Sequence, residues 1–264
     1  ERSEGSCSKS GDVRDPGPIL PAKSGGIALA LFLAVLFHQL LFASGHLYSY
    51  DEVTMLETAV SLVDRVDLAV DLPDTARLYY KPGRDGRGYS KFGIGMSAWI
   101  APWYAAGKAA GKVFGSRDAG KFGEFIASFA NAPVVALIVA FSFLTLLDLG
   151  LDRRAALLAA AILGFATSLP VYGRGLFNDA LTGLLVLLAF RHFVRNNPLL
   201  AGAAAALAAL TRAEYALLVP ALFLAWGPGL SFRNKGRWLT LAGPIVLALA
   251  AIELQLEMQR ATSL

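Results

Sequence analysis

The stretch GIALALFLAVLFHQLLFAS (Gly26–Ser44), followed at once by GHLYSYDE (Gly45–Glu52), decides how the chain is read. Nineteen almost wholly apolar residues are close to the roughly 20 that a helix needs to cross a bilayer. They end abruptly in a polar stretch, 45–92, that opens on two carboxylates, Asp51 and Glu52. An acid at a membrane face is costly to desolvate, which makes it a candidate for function.

Composition points the same way. The 264 residues are 55% hydrophobic and 17% charged, where a soluble domain carries about 25% charged residues. So much apolar surface exceeds what one water-facing core hides, and lipid is expected to cover part of it. The net charge of +4 does not indicate nucleic acid, because the basic residues are spread between apolar spans with no stripe of interleaved aromatics. Cys7 is the single cysteine, which excludes an intrachain disulfide.

The first 25 residues are rich in Ser, Gly, Pro and charge and are expected to be a disordered cytoplasmic segment. They lack the pattern of a signal peptide, so the first span reads as a retained anchor. Further apolar segments are expected at Phe125–Leu149, Ala155–Tyr172, Ala180–Val194, Leu199–Leu210, Ala216–Trp226 and Trp238–Ile252. With Gly26–Ser44 they make about seven spans by length. The expected fold class is an all-α polytopic bundle occupying 26–258, with 45–121 as the first outer loop and its interfacial helices. Residues 259–264 read as a truncated end, and the chain as a fragment of a longer protein, inactive alone.

Basic residues set the expected orientation. Arg153 and Arg154, Arg191 and Arg195, and Arg233, Lys235 and Arg237 fall in alternate connections, which places those loops in the cytoplasm and 45–92 on the outer face. Within that loop Val53, Leu56, Val60 and Val63 recur at helical spacing and predict an amphipathic helix along the membrane surface. Ser49 and Glu52 have capping-box spacing for its start, and Asp71-Leu72-Pro73-Asp74 is its expected end. The segment Gly93–Gly115, with Trp99, Trp103, Tyr104, Lys108 and Lys112, suits an interfacial or re-entrant helix.

Asp51 and Asp179 are the leading candidates for chemistry, each against the plainer role of an acid in a first helical turn. Glu52 is the third acid, shared between site and cap. Lys91, Arg174 and Arg212 map to the same outer face, where cations commonly snorkel to water or lipid phosphate. Lys91 stands out because Tyr89, Ser90, Gly93 and Gly95 surround it, and glycine lets a ligand approach the backbone.

In this order the residues resemble the multi-spanning GT-C glycosyltransferases that use polyprenyl-phosphate-linked sugars, a group that includes protein O-mannosyltransferases, aminoarabinose transferases of lipid A and the related Rgt-like enzymes. Asp51-Glu52 after the first span is similar to the family's acidic motif. RGYSKFGIGMSAWIAPWYAAG (Arg87–Gly107) resembles the loop end Tyr-Ser-Lys-Tyr-Gly-Pro-Gly, with Ile94 where Pro is common. GRGLFNDAL (Gly173–Leu181) resembles the second outer loop, and LTRAEYALLVPAL (Leu210–Leu222) the Thr-Arg-Pro-Glu break, with Ala213 in place of Pro. The resemblance covers about 26–255.

The resemblance implies transfer of a sugar from a polyprenyl-phosphate donor to a hydroxyl of lipid, glycan or protein, with inversion, at the outer face of a bacterial inner membrane. Asp51 would be the base, with Glu52 and Asp179 as further catalytic acids. Lys91, Tyr89, Arg174 and Arg212 would bind substrate. No cofactor is assigned beyond the polyprenyl-phosphate sugar as donor substrate, and Asp51 and Asp179 leave room for a divalent cation. The rival reading is a transporter or flippase without chemistry. The interrupted stretch Thr211–Tyr215 suits it, but such helices usually come in pairs and no partner is evident.

Overall fold

The computed structural model describes residues 24–71, 78–83 and 85–218, together with Ala221, Gly243, Val246, Ala250 and Glu253. The expected N-terminal segment up to residue 23, most of Ala216–Trp226 and Trp238–Ile252, the Leu72-Pro73-Asp74 terminator, the basic loop at 233–237 and the end at 259–264 lie outside the described residues.

The chain is mostly helical. Among the described residues eight helices follow in order: α1 (Ser24–Phe42), α2 (Tyr50–Asp64), α3 (Ile94–Val113), α4 (Ala119–Ala127), α5 (Asn131–Asp148), α6 (Arg153–Phe165), α7 (Asn178–Val194) and α8 (Pro198–Thr211), with short 3₁₀ turns at Leu169–Gly173 and Ala213–Leu217. Two segments are long and apolar enough to cross a membrane: α1, and the 30-residue run Ala119–Asp148 that joins α4 to α5, each with mean hydropathy 2.1. Helices α6 and α8, at 13 and 14 residues, fall short of that length. The expected seven spans are thus two by length and composition among the described residues.

Helix α5 is the hub, packed on α1, α6 and α7. Val134, Val135, Val139 and Phe143 are fully buried there. Gly164 lets α6 close on this core, since a Cβ at that position would lie 3.1 Å from both Val35 and Val139 methyls. At the far end of the hub Asp148, with its side chain 7% exposed, pairs with Arg191 and Arg195, both at 2.9 Å. Burying charge in this way is sustained only by pairing.

The polar stretch after α1 departs from expectation twice. Helix α2 stops at Asp64, because Val66 turns to a φ of +55°. Its buried face is also not the valine stripe. Val53, Val60 and Val63 are half-buried, whereas Met55, Leu56, Ala59, Thr58 and Ser61 are buried. The reason is that α3 covers α2. Polar residues are tolerated on the covered face because Thr54, Thr58 and Ser61 return their hydroxyls to the carbonyls of Tyr50, Thr54 and Glu57.

The second departure is a small antiparallel sheet, absent from an all-α expectation. Strands β1 (Ala69–Val70), β2 (Tyr80–Pro82) and β3 (Gly88–Ser90) pair in the order β1-β3-β2, with Ala69 opposite Tyr89 and Tyr80 opposite Ser90. Arg87 clamps its hairpin, bonding both Asp67 and Asp85, while the Tyr89 hydroxyl donates to Asp85 at 2.8 Å. Arg87 first, and then Tyr89, holds the Asp85 carboxyl down at about 2. A depressed carboxyl favours the folded hairpin above its unfolded value of about 3.9 and loses that contribution as pH falls through the folded value.

Helices α3 and α4 form a close hairpin. A Cβ on Gly107 would meet Ile126 Cβ at 2.6 Å, and one on Gly123 would meet the Tyr104 ring at 2.8 Å and the Tyr104 carbonyl at 2.9 Å. Backbone cannot swing aside as a side chain can. Gly123→Ala is expected to cost about 1–3 kcal/mol in thermal or denaturant unfolding in detergent. A carbon-detected NMR titration is expected to place the Asp85 midpoint near 2 and, in Arg87→Gln, to return it toward the ordinary carboxyl value.

Candidate functional site

Three helix ends and one strand end meet at one face of the bundle. Asp51 lies in the first turn of α2 and Asp179 in the first turn of α7. Lys91 follows β3 directly and precedes α3, and Arg212 closes α8. All four line one cavity of about 450 Å³, with Asn178, Glu214, Met55, Phe92 and Phe177.

Two close backbone approaches bring α8 against the start of α3. A Cβ on Gly93 would lie 2.4 Å from the Leu210 carbonyl oxygen, and one on Gly95 would lie 2.4 Å from Thr211 Oγ1. Any larger residue at either position would push Arg212 away from Lys91. The glycines expected to admit a ligand therefore admit the neighbouring helix end instead.

Within the cavity the charges are unevenly committed. Arg212 Nη1 donates to Asp179 Oδ1 at 2.5 Å, and its Nε stands 3.7 Å from Glu214. Lys91 Nζ donates to the Leu78 carbonyl at 3.0 Å and sits over the rings of Tyr79 and Phe92, 4.9 and 5.1 Å from their centroids. Tyr79 in turn stacks on Tyr50 at 5.3 Å. Among the described residues no carboxylate pairs with Lys91. Asp51 Oδ1 is buried and has no hydrogen-bond partner there. The cavity thus offers an unused carboxylate oxygen, a cation without a counter-charge and an acid–guanidinium pair.

Glu52 takes a different place. It is fully buried, and both oxygens are occupied: Oε2 accepts from the Tyr48 and Ser49 amides at 2.7 and 2.8 Å and from the Ser49 hydroxyl, and Oε1 accepts from the Leu176 amide at 2.7 Å. The capping box expected from Ser49 and Glu52 is present, and the second oxygen adds a tie across to the 175–177 loop. Its role is therefore positional, since no oxygen is left to face a substrate.

Tyr89 and Arg174 also stand apart from the cavity. Tyr89 is held in the sheet by Asp85 and Arg87, which take up its hydroxyl. Arg174 lies over the Phe42 ring at 5.3 Å, on the α1 side of the bundle. His46 faces a second cavity of about 350 Å³ with Leu56, Lys121, Glu124 and Phe125.

Sequence reasoning missed Asn131. It is fully buried at the head of α5, and its amide donates to the carbonyls of Gly175 and Phe177, both at 2.8 Å. A polar residue opening an otherwise apolar run was the available signal. Tyr79 and Asn178 were missed as well, and neither carries a pattern of its own. Among the described residues no group of three or more His, Cys, Asp or Glu converges as a metal-ligand set.

Comparison of the chain with protein-family models, with curated proteins and with solved structures finds no match. The functional reading therefore rests on the cavity itself.

The neighbours Asp51 and Glu52 are expected to separate cleanly in stability. Glu52→Ala leaves four donors facing an empty site and is expected to cost about 3 kcal/mol or more, whereas Asp51→Asn, which breaks no protein contact of Oδ1, stays within about 0.5 kcal/mol. Unfolding of both variants in the same detergent checks this.

Proposed function

We propose that the chain is the catalytic part of an integral membrane glycosyltransferase that moves a sugar from a polyprenyl-phosphate donor to a hydroxyl acceptor. The observation that carries the reading is the pairing, in one cavity, of an Asp51 oxygen without a partner and the cations Lys91 and Arg212. Support for a membrane setting comes from the two long apolar segments. In this reading the shorter helices α6 to α8 complete a multi-span bundle, and the cavity opens to the outer face of a bacterial inner membrane.

The chemistry asks for two things. An acceptor hydroxyl is a weak nucleophile until a base takes its proton, and Asp51 is that base. As the acceptor oxygen bonds to the anomeric carbon, the bond from that carbon to the donor phosphate oxygen breaks and its electron pair leaves with the polyprenyl phosphate. Lys91 and Arg212 meet the charge that develops there, and fixed cations at a low-dielectric boundary do this well. Asp179, held by Arg212, hydrogen-bonds sugar or acceptor hydroxyls. Attack opposite the leaving group inverts the anomeric centre, by analogy with inverting hydrolases. Glu52 serves this site by holding α2 in place, with no direct part in the chemistry.

Membranes carrying the protein, supplied with lipid-extracted donor, provide the test. Asp51→Asn is expected to lower sugar transfer about 10²–10⁴-fold at normal expression, and a parallel assay with a chelator reports any need for a divalent cation. Unchanged turnover removes Asp51 from the mechanism. Movement of a labelled lipid-linked sugar across vesicles, with no transfer in any condition, favours a carrier.

A further inference from the structure

The turn that joins α3 to α4 reads Lys112-Val113-Phe114-Gly115-Ser116-Arg117. Val113 is 82% and Phe114 79% exposed, more than any large apolar side chain of α1 or α6. The turn that presents them is closely bonded. Gly115 takes a φ of +69°, the Ser116 amide donates to the Gly111 carbonyl at 2.8 Å, and the Gly115 amide donates to the Lys112 carbonyl at 3.3 Å. This is the glycine-closed helix end that satisfies the last carbonyls of a helix. Just below it Gly111 lets α4 press against α3, since a Cβ there would lie 2.9 Å from Phe122 Cβ. Val113 and Phe114 are thus held outward on a tip whose backbone bonds are already made.

Charge around the tip is sorted. Residues 108–117 hold Lys108, Lys112 and Arg117 and no acid. Three acids nearby are spent: Asp64 on Lys108 and Tyr104 at 2.7 and 2.9 Å, Asp118 on the Lys121 amide at 3.0 Å, and Glu124 on the Lys121 ammonium at 2.8 Å. Lys112 and Arg117 stay exposed on either side of the apolar pair. The bonds of Asp64 also hold the end of α2 against the last turns of α3. Two residues on, Val66 is 92% exposed at a φ of +55°, a setting that a β-branched residue takes only at a cost. Strain of this kind is kept where a surface has work to do.

The chain that follows says what covers the tip. Ala119, two residues past Arg117, begins the 30-residue run that is long and apolar enough to cross a membrane. A chain entering a bilayer first passes the headgroup layer. There an aromatic ring and a valine find hydrocarbon, and cations beside them meet lipid phosphate. We propose that the α3–α4 tip is a membrane anchor that seats Val113 and Phe114 in the surface of an anionic bilayer, with Lys112 and Arg117 on phosphatidylglycerol headgroups. Nothing in this depends on sugar transfer, because the tip ends a 20-residue helix, about 30 Å long, whose other end follows Lys91.

A polarity-sensitive dye on the tip of the full chain provides the test. It is attached at Phe114→Cys in a Cys7→Ser background, and the protein is reconstituted in phosphatidylcholine vesicles with or without phosphatidylglycerol. Lys81→Cys, exposed on the small sheet, carries the reference dye. With phosphatidylglycerol present, the tip dye is expected to be quenched by brominated acyl chains and shielded from aqueous acrylamide about 5-fold relative to the reference. Lys112→Gln combined with Arg117→Gln is expected to remove most of that shielding. A tip dye that brominated chains leave unquenched, and that acrylamide reaches as freely as the reference, overturns the proposal and leaves the patch to a protein partner. Equal shielding in pure phosphatidylcholine, or full shielding in the double variant, overturns the role of the cations. Val113→Cys on the same turn repeats the reading should Phe114→Cys fold poorly.

Discussion

The arrangement depends on one buried carboxylate. Glu52 spends one oxygen on the start of its own helix and the other on the Leu176 amide, 124 residues away in sequence. Asn131, at the head of the hub helix, seizes the carbonyls on either side of Leu176. Two buried side chains therefore hold the 175–177 loop by one amide and two carbonyls. In the interior such bonds are strong, and leaving any one unmade is expensive. The result is that the first turn of α2 and the first turn of α7 are locked in one place, with Asp51 and Asp179 facing the same cavity.

The adjacent pair Asp51-Glu52 illustrates how one helical turn divides its labour. Successive residues on a helix point about 100° apart, so two neighbouring acids cannot share an environment. Glu52 faces inward and is consumed by structure. Asp51 faces the cavity and keeps an oxygen unused. The opposite end of the bundle handles charge differently. There Asp148 is fully engaged by Arg191 and Arg195, which pin α5 to α7 and leave no unused carboxylate. Commitment at one end and availability at the other is what the proposed function draws on.

Much of the fold and part of the site were legible in the chain. Helix α1, the capping box at Ser49 and Glu52, and the helical character of the apolar segments between residues 125 and 210 follow from local rules: apolar length, side-chain-to-backbone bonding and periodicity. Asp51, Lys91, Asp179 and Arg212 could be selected because charged residues at the ends of apolar segments are few and conspicuous. Other features were not legible. The three-stranded sheet is built from strands of two or three residues, too short to show a period. The buried face of α2 follows the position of α3, which no local pattern encodes. Tyr89 and Arg174 are near the site in sequence and away from it in space, because Asp85 and Arg87 hold the one and the other lies over the Phe42 ring.

By itself, then, the sequence determined that the chain is mostly helical, where apolar character gives way to charge, and which ionisable residues stand at those boundaries. These are properties of a residue and its near neighbours. Only the tertiary structure decided which of the charged groups share a cavity and which are spent on holding it together. That choice depends on hydrogen bonds across more than forty residues, such as those of Asn131 and Glu52, and on glycine contacts that set how closely α8 approaches α3. Long-range partners of this kind leave no periodic trace, so chemistry at a boundary can be listed from the chain but assembled only in three dimensions.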